Sequence, residues 1–460
     1  MASVINQSNE NSSLVAVLSE AQESIVNPFE YNIVKQYPFH GTQSMELSAD
    51  NPSNIGAGKS IDFSIPKFGF LRSAILSFTH KNEGTVTKSA RSGLLNAIDR
   101  IEILSSSRRL AVMDKYALMC AMSDMSSDVR QNYYKGLHME STGDQLDGAN
   151  TLTYKSYLNL PFSFFDNIKN SIATSFTEPI TIRCYFSSMN YQAVSGTVTT
   201  ATLSNPSLYC EFKVLTPEQE DATIEANYNG VLTQLNYDYH TESAVTGTLT
   251  NSAELSLVKE ISDSGVVSDI YIVVVANVDG NTVDDATLKA CECPLKLDKI
   301  QFSGSGQNIV PLVDADLIEF WGRRSENSNF HSTGYGSAVA PSDDPSQLRW
   351  VYKLQFGLSD NKQMNSGGIS LREINAPTIS VQVRRAGSAD DNSSTTGGEN
   401  SGGSGGADQS DTTSATNFSV SDQNESVLNG KKVSMYVVLR KHTLTSTEPA
   451  SGRITTALSS

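Results

Sequence analysis

The chain lacks basic residues relative to acidic ones. Its 34 lysines and arginines are outnumbered by 50 aspartates and glutamates, and the formal net charge is −16. A protein that wraps nucleic acid or grips anionic lipid needs a surplus of Lys and Arg, so this charge argues against both. An acidic excess is compatible with solubility at high concentration. We interpret three short basic pairs as surface or subunit-contact residues: Arg108–Arg109, Arg323–Arg324 and Arg384–Arg385.

Paired cysteines and long apolar segments are also missing. The five cysteines are an odd number without regular spacing, which favours reduced thiols in an intracellular compartment over a disulfide framework. The most apolar run, Ile270–Val275, is far too short to span a bilayer. The opening residues MASVINQSNE have neither a basic segment nor an apolar one, so we expect no signal peptide. We predict a soluble protein, made and used on the cytosolic side.

Motifs that carry chemistry are absent or incomplete. The six histidines are scattered, and there is no G-x-S-x-G sequence. Asn54–Ser60 (NIGAGKS) resembles a phosphate loop, but Ser53 stands where a glycine is needed and a strand pattern follows instead of a helix. Cys291 and Cys293 have no second pair of zinc ligands, and Asp279–Asp285 lacks the spacing of a calcium loop. We therefore predict no enzymatic activity and no catalytic, cofactor-binding or metal-binding residues.

What the chain does contain is many short alternating apolar segments separated by turn residues. Its 460 residues are enough for two or three domains, and the alternation is typical of strands. We predict an N-terminal arm over residues 1–27, a first β unit over 28–215, a linker over 216–230, a second β unit over 231–445 and a C-terminal tail over 446–460. The Gly/Ser-rich segment 386–426 should be a mobile surface loop.

The N-terminal arm contains one helical pattern. Leu14, Val17, Leu18, Ala21 and Ile25 recur at helical spacing within residues 13–26. Composition leaves two roles open for this helix. It either docks on its own domain, or it belongs to an arm that touches a neighbouring subunit or an underlying layer.

Two distant segments share one order of elements. Ile98–Met122 and Leu297–Trp321 align without gaps at an offset of 199, and each reads as a strand, a small-residue turn, a strand and a helix. A second possible anchor is the pair Tyr154-Lys155, which recurs 198 residues later as Tyr352-Lys353. A repeat of this length indicates tandem domains. If it is real, Ile101 and Ile300 must occupy equivalent positions.

Four segments resemble one known family, the double jelly-roll major capsid proteins of tailless icosahedral double-stranded DNA viruses. Ile98–Met122 resembles the family's I-[DE]-[KR]-I-E-[IL] strand, turn and helix, and Leu158–Phe165 its Pro-aromatic segment. Trp350–Ile374 and the closing segment 435–454 are similar to the parts of the second roll that carry Ser-Gly pairs. Three serines replace the usual Gly-Gly turn at residues 105–107, Gly368 replaces an Asn, and the Gly/Ser-rich insertion is not general.

The resemblance implies a fold and a set of partners. The fold would be all-β, with two tandem eight-stranded jelly-roll sandwiches. The chain would form pseudo-hexameric homotrimers that tile an icosahedral shell and contact neighbouring capsomers. On the inner face it would meet minor capsid or penton proteins and an internal membrane. The protein would reside in the virion after assembly inside the infected cell. The loop at 386–426 would lie on the outside and the N-terminal arm on the inside.

Two other functions are compatible with a jelly-roll pattern. One is a non-viral β-sandwich protein of the carbohydrate-binding or adhesin type, which the expected lack of a signal peptide and of disulfides disfavours. The other is a cupin-like enzyme, which would need a clustered His/Glu metal site that the sequence does not offer. The departures from the family pattern leave the subgroup and the host open.

Overall fold

A computed structural model of the chain describes the strands of both units and part of their connections. The described residues are 41–89, 97–125, 151–166, 170–187, 193–218, 230–250, 254–277, 292–295, 297–315, 351–357, 367–383 and 430–458, with a few isolated positions between them. The predicted helix at 13–26 and the predicted loop at 386–426 lie outside these residues. Within the described residues, no helix is long and apolar enough to cross a membrane.

The first unit is a sandwich of two antiparallel sheets. Its elements are β1 (Gly41–Ser48), β2 (Ser60–Ile65), β3 (Phe70–Ser89), β4 (Ile98–Ser105), β5 (Arg108–Asp114), α1 (Lys115–Ser123), β6 (Thr151–Asn159), α2 (Ser163–Asp166), β7 (Ile172–Ala173), β8 (Ile180–Phe186) and β9 (Ala193–Val214). Sheet A has the order β1-β9-β3-β6 with β7 beside β3, and sheet B has the order β2-β8-β4-β5. Alternating residues of both sheets point into one core, as on β8 (ITIRCYF).

The second unit repeats this arrangement. Its elements are β10 (Leu232–Thr241), β11 (Val245–Thr248), β12 (Leu255–Glu260), β13 (Val266–Asn277), β14 (Glu292–Pro294), β15 (Leu297–Gly304), β16 (Gln307–Asp314), β17 (Val351–Gln355), β18 (Ile369–Ser370), β19 (Thr378–Val383), β20 (Lys432–Glu448) and β21 (Arg453–Leu458). Sheet C contains β10-β20-β13, with β14, β17 and β18 on β13 and with β11 and β21 on β20. Sheet D has the order β12-β19-β15-β16. The strand β21 lies within the expected C-terminal tail.

Equivalent connections in the two units confirm the predicted all-β double jelly roll. In each unit, the larger sheet joins the first strand, the last long strand and the long strand β3 or β13, and the four-stranded sheet ends in the strand–turn–strand element. Ile101 and Ile300 are both fully buried. Ile101 pairs with β5 and β8, and Ile300 with β16 and β19. The turns also match, since Ser106 has a φ of 53° and Ser305 a φ of 54°.

The gapless alignment of the two copies is wrong beyond the turn. Arg100 pairs with Asp114, whereas Lys299 pairs with Asp314. The offset therefore grows from 199 to 200. The cause is that the pairing of β15 with β16 contains two register shifts where that of β4 with β5 contains one. A β-bulge adds one residue to a strand, and no residue pattern revealed it.

A shared irregularity fixes the correspondence between β3 and β13. The register of β3 against β9 shifts between Leu71 and Ser73, and that of β13 against β20 shifts between Val267 and Asp269. A two-residue strand, β7 or β18, pairs beside each shift. Position 71 on β3 therefore corresponds to position 267 on β13.

The second predicted anchor of the repeat is wrong on this correspondence. Tyr352 on β17 pairs with Ile272. The counterpart of Ile272 is Leu76, which pairs with Leu158 on β6 rather than with Tyr154. The recurring Tyr-Lys pair is therefore a coincidence of letters at non-equivalent positions.

Candidate functional site: the junction between the two rolls

Sheet C is buried on both faces. On β13, two alternating sets of side chains are each no more than 1% exposed: Ile270, Ile272 and Val274, and Tyr271, Val273 and Val275. The first set packs in the core of the second unit, and the other set joins the core of the first unit. The outer face of sheet C is therefore the wall against which the first roll packs. Strands covered on both sides form continuous apolar runs.

The first roll covers this wall with α1 and β5. The helix α1 lies against β10, β17 and β20, and β5 lies against β10 and β21. Tyr116 of α1 stacks on Tyr436 of β20 with ring centroids 3.5 Å apart. Asp114 is the N-cap of α1, because its Oδ1 accepts from the Ala117 N–H at 2.8 Å. The same oxygen accepts from the Thr241 hydroxyl of β10 at 2.9 Å, so the cap also joins the two rolls.

Asp124, directly after α1, enters the second roll as a buried carboxylate. Its side chain is 5% exposed. It accepts from Lys353 Nζ at 3.1 Å, from Arg440 Nη1 at 3.2 Å and from the Tyr239 hydroxyl at 3.1 Å. The Tyr271 hydroxyl also donates to it. One residue of the first roll is thus bound by four strands of the second roll, β10, β13, β17 and β20.

Asp269 completes the set of charges. Arg440 Nη2 lies 2.6 Å from Asp269 Oδ2, and Lys353 Nζ lies 3.4 Å from Asp269 Oδ1. The Ser268 hydroxyl donates to Asp269 at 2.8 Å and accepts from Arg440 Nε at 2.9 Å. Two carboxylates therefore balance one lysine and one arginine. Buried charges are tolerated when they are paired and hydrogen-bonded in this way.

The protonation states of this network follow from its burial. Burial raises the pKa of the Tyr239 and Tyr271 hydroxyls well above the usual range, and the Asp124 carboxylate raises it further. Burial by itself would lower the pKa of Arg440. Tyr271, Asp269 and Asp124 outweigh that effect, and the pKa of Arg440 is raised. The tyrosines remain neutral donors and the guanidinium remains charged, so the network holds the rolls together and is not suited to transferring protons.

A second contact between the rolls involves a glycine near the C-terminus. The Glu178 N–H donates to the Gly452 carbonyl at 2.7 Å. Gly452 has a φ of 67°, and an added Cβ would lie 3.0 Å from Glu178 N and from Phe176 O. A side chain at this position would be strained and crowded. The Ser-Gly pair near the C-terminus therefore permits close approach of the two rolls.

The residues weighed as chemical candidates occupy structural positions. In NIGAGKS, the Lys59 N–H donates to the Gly56 carbonyl in a turn before β2, which is not the strand-to-helix loop that binds phosphate. Arg108 forms an ion pair with Glu178 within the first roll. Burial raises the pKa of the Cys184 and Cys210 thiols, that of Cys210 to about 12. Buried thiols of this kind are inert. The segments around 280, 323 and 384 and residue 291 lie outside the described residues.

One group among the described residues has the donor atoms of a metal site. His240, Glu242 and Asp263 offer ligand atoms within 4.8 Å of one another. Lysines already neutralise both carboxylates: Lys441 Nζ lies 2.6 Å from Asp263 and Lys259 Nζ lies 3.6 Å from Glu242. The two ammonium groups already supply positive charge to both carboxylates, so we assign this group to ion pairing.

Sequence reasoning did not identify the junction residues. Asp124, Asp269, Lys353 and Arg440 come from four separate segments, and no spacing links them. One signal was available. The continuous run IYIVVV at 270–275 indicates a strand buried on both faces, and an aspartate directly before it marks a charge that enters the same buried layer.

The sequence matches no protein-family model and no curated protein sequence. The fold matches solved structures along most of the chain. VP54 of PBCV-1 is similar with a TM-score of 0.65 and 12% identity, over 94% of this chain and 100% of its own. The Faustovirus major capsid protein has a TM-score of 0.55 and 11% identity, over 91% of this chain and 93% of its own. The mavirus major capsid protein has a TM-score of 0.53 and 10% identity, over 94% and 92%. The chain has the double jelly-roll fold of these viral major capsid proteins.

Proposed function

We propose that the protein is a structural major capsid protein without catalytic activity, located in the virion. The observation that carries this proposal is the likeness to PBCV-1 VP54 over 94% of this chain and all of the other. Both rolls, their order and their junction fall within that length. Fold alone does not imply function. Here the buried charges and the buried thiols all serve packing in the described residues, which agrees with a structural role.

The unit of assembly that we propose is a homotrimer. Two similar rolls in each chain give six similar sandwiches around a threefold axis, and closed cyclic symmetry lets one surface serve every contact. Such trimers would tile a shell beside neighbouring capsomers. Minor capsid or penton proteins and an internal membrane would be the partners on the inner face. The net charge of −16 supports the absence of direct nucleic-acid binding.

The test is the assembly state of the full chain expressed alone. Size-exclusion chromatography with light scattering should give three times the chain mass of 49.7 kDa, and electron micrographs of the peak should show hexagonal particles. A monomer that binds a glycan in an array screen would overturn the proposal and favour a carbohydrate-binding protein.

A further inference from the structure

The two rolls differ in chemistry at one end, and the strand registers show which positions correspond. Phe212 on β9 pairs with Leu71, and Lys441 on β20 pairs with Val267. Since Leu71 and Val267 are equivalent positions, Phe212 is the counterpart of Lys441. The same registers continue across to β1 and β10 and give two more pairs of counterparts: Met45 and His240, and Leu47 and Glu242.

Strands β2 and β12 add another pair of counterparts. Through β8 and β19, the equivalence of Ile101 and Ile300 makes Phe63 the counterpart of Lys259. Asp263 follows Lys259 in the loop after β12. Four positions that hold Met, Leu and two Phe in the first roll therefore hold His, Glu and two Lys in the second.

Apolar packing closes this end of the first roll. Phe63 and Phe212 are fully buried, and Phe212 packs edge-to-face on Phe68 with ring centroids 5.8 Å apart. Met45 and Leu47 pack against the same core. Ionisable side chains at such positions are costly unless they are paired.

Ion pairs close the same end of the second roll. Lys441 contacts Asp263 and Lys259 contacts Glu242, and all four side chains are at most 12% exposed. The His240 ring lies at the edge of this group, 43% exposed, with its Nε2 at 3.6 Å from Asp263 Oδ2. While the imidazole is neutral, two lysines balance two carboxylates.

The two carboxylates also hold the chain after β12. Glu242 Oε1 accepts from the Ser262 N–H at 3.2 Å and from the Asp263 N–H at 3.1 Å, and Oε2 accepts from the Ser262 hydroxyl at 2.8 Å. Asp263 Oδ1 accepts from the Gly265 N–H at 3.0 Å. The segment 259–265, which leads from β12 to β13, is thus attached to the end of β10 through charged groups.

In acid the balance of charge is lost. Burial lowers the pKa of His240, and Lys441 lowers it further. Asp263, Glu242 and Asp114 oppose this shift without reversing it. Burial alone would raise the pKa of Asp263, but Lys441 and other nearby donors outweigh it and hold the pKa below 3.8. The stabilisation is complete above pH 6.5 for the histidine and above pH 3.8 for the aspartate, and it is lost as the pH falls through each lowered pKa.

The other charges that act on this group do not compensate for the loss. Asp238 pairs with Lys441 across β10 and β20, but burial raises its pKa to about 7, so it is uncharged in acid. Burial likewise raises the pKa of Asp114. Arg109 of the first roll, which acts on Asp238, adds only positive charge.

We propose that this group of side chains is a latch that acid releases at one end of the second roll. Its members are His240, Glu242, Lys259, Asp263 and Lys441. Protonation of the imidazole and the carboxylates leaves two buried ammonium groups without compensation, and the segment 259–265 then separates from β10. The first roll, closed by apolar side chains at the corresponding positions, stays shut over the same pH range. This conformational change lies within one chain and does not depend on assembly into a capsid.

Amide hydrogen exchange of the full chain tests the latch, with the first roll as an internal control. The segment 259–265 is compared with its counterpart 63–69 between pH 7.5 and pH 4. The ratio of the two exchange rates removes the pH dependence of the chemical exchange itself. We expect this ratio to rise by about tenfold or more in acid, since a difference of one pKa unit corresponds to a factor of about ten. A ratio that does not change with pH would overturn the latch.

Two variants with the same substitution locate the effect. Glu242→Gln removes one carboxylate of the latch and should raise the exchange ratio at pH 7.5 by about tenfold or more, because Lys259 is then buried without its partner. Glu260→Gln, on the exposed side of β12, should leave the ratio unchanged. Equal effects of the two variants would show that the latch does not hold the segment.

A third variant copies the first roll. Glu242→Leu/Lys259→Phe replaces a buried ion pair by the apolar residues of the counterpart positions, a change that is often neutral or stabilising. The exchange ratio should then rise less in acid than in the unmodified protein, and an equal rise would contradict the proposal. Thermal unfolding verifies that each variant is folded.

Discussion

At the scale of single residues, Asp124 joins the first roll to the second through buried hydrogen bonds and ion pairs. Four donors of the second roll converge on this one carboxylate, which is 5% exposed. Removing one member of a buried set of charges leaves the others without compensation, which is costlier than losing a surface pair.

We expect Asp124→Asn to lower the free energy of unfolding by about 3–5 kcal/mol, since Lys353 and Arg440 would then share only Asp269. Urea unfolding followed by tryptophan fluorescence measures this. The control is Asp99→Asn, which breaks a surface ion pair with Arg100. The side chain of Asp99 is 52% exposed and that of Arg100 is 38% exposed. Surface pairs contribute about 0–1 kcal/mol. Equal effects of the two variants would contradict the role given to Asp124.

We expect Asp238 to make the free energy of unfolding depend on pH. Burial raises its pKa from 3.8 to about 7, although Lys441, the Tyr239 N–H and Arg109 favour the charged form. A raised pKa means that the contribution of Asp238 is complete below pH 3.8 and is lost as the pH rises through about 7. We expect Asp238→Asn, which cannot ionise, to gain stability relative to the unmodified protein between those pH values. Unfolding in urea at a series of pH values tests this, and a difference that does not vary with pH would refute it.

At the scale of elements, α1 begins where the first roll meets the second. Its N-cap Asp114 bonds both the helix and Thr241 of β10. We expect Asp114→Ala to lower the free energy of unfolding by about 0.5–2 kcal/mol through loss of the helix cap. Loss of the hydrogen bond to Thr241, which links the rolls, should lower it further. Thr241→Val removes only the link. A double-mutant cycle on unfolding free energies separates the two contributions, and a coupling energy of zero would show that the link stabilises nothing.

The strands show how far sequence reasoning reaches. In the segments 98–122 and 297–321, the strand, turn and strand were predicted correctly, because alternation and small turn residues are local signals. The sequence did not reveal the extra residue in β16 or the two-residue strands β7 and β18, since bulges and short pairings depend on tertiary partners. Ser106 was interpreted as a departure from a glycine turn, yet it adopts the positive φ that a glycine would.

The site was much harder to predict than the fold. Tyr271 and Ile270 are neighbours on one strand, and the sequence alone does not show that one faces each core. Arg440 and Lys353 read as ordinary strand residues, because only the folded chain brings them to Asp124. Whether a charged side chain is buried depends on partners that are far away in the sequence, and such partners produce no periodic pattern in it.

At the scale of the whole molecule, the contact between the two rolls lies within one chain, where the Thr241 hydroxyl of the second roll donates to Asp114 of the first.

Sheet C belongs to two hydrophobic cores at once, one on each face. A wall shared in this way makes the second roll part of the folding unit of the first, because α1 and β5 would expose their apolar face without it. The two halves of the duplication are therefore cooperative partners rather than separable modules. If the chain were cut between them, the first half would expose the apolar faces of α1 and β5. The second half would expose the outer face of sheet C.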